Sequence, residues 1–426
     1  MKRIATALIL LFFIGFGCDL SSQQQTDNPD QALIWKDVSP DFITRQSLNS
    51  EIQTKMERVQ NFLKQENLDG MLLTQVRNFY WITAGQANNQ IVLNKDVGAA
   101  SILIMKDGSK YLIANGSEAP RLMTEVLGDL GYKLLQYNWY EANPQKDVRA
   151  EVLQSVTKNG KIGSDAAFPG TVNVADQFEK LRYRFTEPEM ERYRWLGKQT
   201  TEAVENVCRR LRPGMDEYEI EAMTAAELRS RGIMPTVLLI AVDNRIYDYR
   251  HGLPAGQKLK KYGMVNVVAE KWGMPMAVTR FVHFGELPDE LKNKIEKTAW
   301  VNAKFQQATV PGTPAAKIFE SCKDWYREAG FPGEWKKHHQ GGAIGYDDRE
   351  YVIYPGIDET VQENQPFAWN PTITGAKVED TMIAHQDGME VVTHTGNWPM
   401  IDIELDGKTY PQPGILIAEE QNPDDQ

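Results

Sequence analysis

The stretch 337-KHHQGGAIGYDDRE-350 decides how the rest of the chain is read. Two histidines lead into a glycine cluster, and an Arg349-Glu350 pair closes it. Gly341, Gly342 and Gly345 permit close backbone approach. They do not form a nucleotide loop, because no G-K-[ST] follows, and the chain has no G-x-S-x-G elbow for a serine hydrolase. Adjacent residues point apart in a strand, so at most one of His338 and His339 is expected to face a cleft, His339 being preferred.

The chain around this stretch has 426 residues, enough for two or three domains with a sizeable core. Its charged fraction of 25% and hydrophobic fraction of 42% are those of a globular protein. A net charge of -11 argues against a nucleic-acid partner, which needs a basic face. It leaves room for a local basic pocket. Three cysteines are present, and Cys208 and Cys322 have neither a disulfide framework nor metal-site spacing, so both read as buried small hydrophobes.

Lys2 and Arg3 precede an apolar run from Ile4 to Gly17, which is short for a membrane span and reads as a signal-peptide core. Cys18 follows directly and looks like the lipidated cysteine of a bacterial lipoprotein, although Gly15 and Phe16 depart from the usual residues before it. The polar stretch 19-DLSSQQQTDNPDQ-31 reads as a tether. The expectation is a signal at 1–17, a lipidated Cys18 with a linker over 18–45, and a cell-envelope protein held to a membrane by its lipid alone.

Residues 51-EIQTKMERVQNFLKQE-66 carry apolar groups at helical spacing. Then 70-GMLLT-74, 78-NFYWIT-83, 99-AASILIM-105, 110-KYLIA-114 and 161-KIGSD-165 read as strands, with a helix at about 118–130, which makes an α/β unit. The boundary falls near 180–187, where Thr186 and Glu189 form a capping-box pattern with Pro188 in the first turn. Helices are expected at about 187–211, 216–231, 288–309 and 314–329. Strands are expected at 236–242, 264–272 and up to 285, then over 366–374 and as a hairpin of 378–384 and 389–393 turning at Asp387-Gly388. Helix pairs alternating with antiparallel strands give an α+β fold class. The domains are expected at 46–185 and 186–418, with a tail at 419–426.

The quoted stretch resembles H-x-x-G-H-G-I-G-x-x-x-H-E, with His338, Gly341, Ile344, Gly345 and Glu350 in register. Further matching words are 77-RNFYWITAG-85, 211-LRPGMDEYEIE-221, His251, 279-TR-280, 311-PGT-313, 370-NP-371 and 379-EDT-381, in the right order with the right gaps. Together they resemble the pita-bread family of aminopeptidase P, prolidase, methionine aminopeptidase and creatinase over nearly the whole chain after residue 50. The resemblance implies a creatinase-like N-terminal α/β domain followed by a C-terminal pita-bread domain, and a homodimer.

The family's metallopeptidases hold two divalent metals with two Asp, one His and two Glu. The resemblance places these ligands at Asn266, Ala277, Gly342, Asn370 and Glu379, and only Glu379 keeps its carboxylate. One carboxylate cannot repay the desolvation of two doubly charged ions, so no metal is expected at that position, and no other cofactor. Arg349 replaces the family's second histidine, and Arg250, His251, Arg280 and His283 lie in or beside its motifs. With His339 and Asn370 these are expected to build a positively charged substrate site, since guanidinium groups fork onto carboxylates. His251 matches the proton-shuttling histidine of creatinase, which cleaves a C–N bond without metal, and Glu379 would orient it or hold a positive substrate group. Three readings remain open. They are a metal-independent hydrolase of a small anionic or zwitterionic C–N bonded substrate, a non-catalytic pseudo-peptidase binding peptides or small anions, as the peptidase-like module of a eukaryotic histone chaperone does, and an Xaa-Pro peptidase with unconventional ligands.

Overall fold

A computed structural model describes residues 36, 38–143 and 146–419, which belong to one compact unit. The expected signal, Cys18 and most of the expected tether and tail lie outside the described residues. Among the described residues no helix is long and apolar enough to cross a membrane.

Helix α1 (Arg45–Gln65) opens the N-terminal half, with the Thr44 hydroxyl accepting from the Ser47 amide as its cap. The sheet beside it consists of β1 (Gly70–Gln75), β2 (Val97–Met105), β3 (Lys110–Asn115), β4 (Lys133–Tyr137), β5 (Ile162–Ser164) and β6 (Val172–Asn173), in the order β4-β3-β2-β1-β5-β6. β2 runs antiparallel to both β1 and β3, and the outer pairings are parallel.

One expectation fails here. The run 78-NFYWIT-83 is not a strand but part of helix α2 (Val76–Ile82). The Asp165 carboxylate supplies the missing partners at its start, accepting from the Thr74 and Gln75 amides at 2.8 and 3.0 Å and from Asn78 Nδ2 at 2.9 Å. The aromatic residues are then buried by helical packing, Trp81 meeting Phe178 edge-on at 5.7 Å.

The C-terminal half begins at the helix Glu187–Arg210, where Thr186 and Glu189 do form the capping box. The helix Glu217–Arg229 follows, and then β7 (Met234–Val242), β8 (Tyr262–Lys271) and β9 (Met274–Phe284). Helices Asp289–Ala308 and Ala315–Glu328 precede β10 (Gly341–Ala343), β11 (Tyr351–Val352) and β12 (Gln365–Trp369). The chain ends through β13 (Thr372–Ile373), β14 (Ala376–Lys377), β15 (Asp380–His385), β16 (Gly388–Val391), β17 (Met400–Leu405), β18 (Lys408–Pro413) and β19 (Ile415–Ala418).

Two half-sheets result. One is ordered β19-β9-β8-β7 and the other β11-β10-β12-β15-β16. The hairpin β17–β18 and the parallel strand β19 against β9 were not read from the sequence. Thr279 N donates to Glu379 O at 3.1 Å, stitching the two half-sheets together beside the candidate site. Cys208 and Cys322 are buried free thiols, as expected.

The two halves also meet through a buried ionic network. Lys55 Nζ on α1 lies 2.7 Å from both Glu51 and Glu189 and donates to Trp81 O at 2.8 Å. Arg192 forks onto Glu51 at 2.8 and 2.9 Å. Glu350, from the opening stretch, is spent in the same way. It pairs with buried Arg182 at 2.5 Å and accepts the Tyr346 amide at 2.9 Å, so it is a structural anchor.

Candidate functional site

The site is built around Glu379, which enters β15 from the short hairpin β13–β14. In the extended run 377–380 side chains alternate, so Lys377 and Glu379 share one face, and Val378 and Asp380 the other. Glu379 Oε2 accepts from Asn266 Nδ2 at 2.7 Å and from Thr279 Oγ1 at 2.7 Å, two residues that are cross-strand partners in β8 and β9. The Lys377 ammonium lies 2.9 Å from the same oxygen and 3.1 Å from Asn266 Oδ1. Arg349 Nη2 stands 3.6 Å from the other oxygen. Burial alone would push the Glu379 carboxyl up, but Lys377 and Arg349, with the hydrogen bonds from Lys377 and Thr279, hold it at about 2.

These groups floor a cavity of about 440 Å³ whose apolar walls include Val237, Leu239, Leu253 and Val268. His251, His339 and Asn370 also line it, as does Asp348, whose carboxyl burial pushes up. Arg349 Nε and Asn370 Oδ1 are buried there with no hydrogen-bond partner.

At the cavity edge His251 Nε2 and His338 Nε2 approach to 2.8 Å. The rings of His338 and His339 stack at 4.3 Å, and Gly341 N donates to His339 Nδ1 at 3.2 Å. The expected alternation of the two neighbouring histidines does not operate, because β10 starts only at Gly341. Burial, reinforced by Lys377, lowers the proton affinity of His251, and burial with neighbouring positive charge brings His338 to about 2 and His339 to about 4.

Of the residues singled out from sequence, His251, His339, Arg349, Asn370 and Glu379 therefore come together. Three others do not. Arg280 is 1% exposed and is consumed by Asp380 Oδ1 at 3.0 Å and the carbonyls of Thr279 and Thr393, both at 2.9 Å. Arg250 pairs with Glu334 and Thr374 Oγ1, bordering a separate small cavity. His283 is buried on β9, its Nδ1 3.0 Å from Gly285 O. Each is held by partners outside the cavity, although Arg280 Nε keeps no hydrogen bond and stands 3.6 Å from Glu205. Lys377, which the sequence reading missed, takes their place; its spacing of two from Glu379 was the available signal.

The glycine of the opening stretch is equally fixed. A Cβ added at Gly342 would lie 2.1 Å from Tyr351 O, the partner strand across β10–β11. No side chain fits there as the backbone stands.

An N-terminal α/β unit joined to two half-sheets with a cleft at Glu379 is the architecture of the pita-bread class. Residues 191–386 match the family model described as Metallopeptidase family M24. An uncharacterized peptidase of Staphylococcus aureus (strain MW2) is 22% identical over 360 residues, covering 80% of this chain and 99% of that protein. Among solved structures, an Xaa-Pro dipeptidase from Bacillus anthracis superposes with a TM-score of 0.68 at 19% identity, covering 86% of this chain and 100% of that one. A prolidase from Pyrococcus horikoshii OT3 gives 0.67 at 18%, covering 80% and 98%. The N-terminal domain of the FACT complex subunit SPT16 from Cicer arietinum gives 0.60 at 12%, covering 82% and 97%. These likenesses establish the fold.

Proposed function

We propose that this M24-fold chain binds a small carboxylate-bearing molecule in its cleft and does not run a two-metal peptidase reaction. The observation that carries this reading is the Lys377 ammonium, 2.9 Å from Glu379 and 3.1 Å from Asn266, two of the positions to which the family resemblance assigns metal ligands. A dinuclear centre does not fit the side chains present. Ala277 has no donor, Gly342 has no room for one, and the single carboxylate already faces two cations.

Arg349 and Lys377 both face Glu379, and Asp348, whose carboxyl burial pushes toward its neutral form, lines the same cavity, so a ligand carboxylate would meet two cations there. The unpartnered Arg349 Nε and Asn370 Oδ1 offer it a donor and an acceptor. The volume and apolar walls suit a body the size of a dipeptide or an acylated amino acid.

A metal-independent hydrolase is the second reading, favoured by one observation: His251 lines the cavity, and partial burial with nearby Lys377 lowers its proton affinity, which suits a general base. Glu379, pinned as an anion, serves as a fixed charge and not as a proton carrier. In either case the N-terminal sequence supports an envelope protein anchored through Cys18, and the family resemblance implies a homodimer.

The test is a thermal-shift series in the presence of chelator, pairing small carboxylates with their uncharged amides. Stabilisation by the acids alone is expected, because a ligand at a hundred times its Kd adds about 2.7 kcal/mol. Stabilisation confined to uncharged or cationic compounds overturns the reading, as does manganese-dependent cleavage of an Xaa-Pro dipeptide. Turnover of a C–N bonded acid that is lost in His251→Ala selects the hydrolase over the binder.

A further inference from the structure

We infer that His251, His338 and His339 form a binding site for a single late first-row transition-metal ion at the edge of the cleft, distinct from the family's two-metal position. This goes beyond the carboxylate-binding reading and does not depend on it.

The three imidazoles come from two segments 87 residues apart, the loop after β7 and the turn before β10. Each offers one ring nitrogen, and these atoms all lie within 4.8 Å of one another. The His251 and His338 Nε2 atoms face each other at 2.8 Å. Zinc–imidazole bonds are about 2.0–2.1 Å long, so two nitrogens on one tetrahedral ion stand roughly 3.3 Å apart. The observed spacings bracket that value, and side-chain rotations on the order of 1 Å complete the site without backbone movement.

The donor chemistry is that of a transition ion. Three neutral nitrogens suit zinc, copper, nickel or cobalt and are poor ligands for calcium or magnesium. Burial favours the neutral rings that ligation needs, most strongly at His338. His338 Nδ1 is buried with no hydrogen-bond partner, so nothing else in the described structure uses that edge of the ring. His339 exchanges its Gly341 hydrogen bond for the metal bond if it ligates through Nδ1.

Lys377 and Arg349 oppose a cation here and Glu379 favours one, so the affinity falls below that of a closed structural zinc site. Three histidine ligands leave a fourth position for water or for an oxygen of a bound molecule. None of the three is a position where the family resemblance places a metal ligand.

The experiment is zinc titration of untagged, metal-free protein, with cobalt absorption as a coordination readout. One equivalent per chain is expected. His251→Ala and the size-conserving His338→Gln should each weaken binding roughly tenfold or more, about 1.4 kcal/mol or greater, and Glu379→Gln, which removes a nearby charge but no ligand, should weaken it less than either. His251 is exposed, so its variant does not threaten the fold. Absence of stoichiometric binding overturns the inference and leaves the carboxylate thermal shift untouched. Binding that survives both histidine variants but disappears in Glu379→Gln overturns it too, and in that case the reading of the cleft as free of the family's centre fails with it.

Discussion

Two buried ionic clusters in this molecule use the same residue types to opposite ends. Between the halves, Glu51 and Glu189 face Lys55 and Arg192, two anions against two cations, and none of the four lines the cleft. In the cleft, Lys377 and Arg349 face Glu379, with the Asp348 carboxyl near Arg349, and all four border the cavity. Burying a charge is costly unless an opposite charge and hydrogen bonds repay it. The first cluster repays it internally and fastens the architecture. The second opens onto a cavity, where Arg349 Nε and Asn370 Oδ1 stand unpartnered and a ligand can satisfy them. Burial and pairing alone rank the two clusters together; the adjoining cavity separates them.

The largest expected effect tests the closed cluster. Lys55→Met leaves Glu51 and Glu189 with Arg192 as their remaining cation and should destabilise the protein by about 3–5 kcal/mol in denaturant titration. A loss under 1 kcal/mol, by contrast, would show that this network contributes nothing as a unit.

The next effect is a pH dependence. The Glu379 carboxyl is depressed from its ordinary 4.5 to about 2. Below 4.5 the unfolded chain takes up a proton that the folded chain refuses, so the contribution is complete above that pH and is lost as pH falls toward 2. It amounts to about 3 kcal/mol. Glu379→Gln should flatten the acid limb of the stability profile in that window. An unchanged limb would mean that Lys377 and Arg349 do not hold the carboxylate as described.

How much of this was legible in the sequence follows from the range of each interaction. The helix 187–210 was legible because Thr186 and Glu189, three residues apart, encode its start locally. The run 78–83 was misread because the carboxylate that starts its helix, Asp165, stands 87 residues beyond Asn78. Arg280 and Arg250 read as ligand groups because their partners, Asp380 and Glu334, lie 100 and 84 residues away. Lys377 was within reach, two positions from Glu379 on an extended segment.

Lys377→Met probes the open cluster directly. Glu379 keeps Asn266, Thr279 and Arg349, so the stability loss should be only about 1–3 kcal/mol, below that of Lys55→Met. Carboxylate binding should weaken by roughly tenfold, since a charge-assisted contact contributes about 1.5–3 kcal/mol. Equal stability costs at the two lysines would erase the distinction between architecture and site.

The smallest effect isolates the cavity wall from its floor. Leu253 is 64% exposed and borders the cavity, so Leu253→Ala should leave folding stability within about 0.5 kcal/mol. If the apolar body of the ligand rests on this residue, each methylene it covers contributes about 0.8 kcal/mol, and the variant should bind a few-fold more weakly. The acid-over-amide preference should stay as it is, because that preference is set by Arg349 and Lys377. Calorimetry with one acid and its amide on both variants measures this. A Leu253→Ala protein that lost the preference itself would place charge recognition at the rim, and Arg349 and Lys377 would then not be the groups that read the ligand's charge.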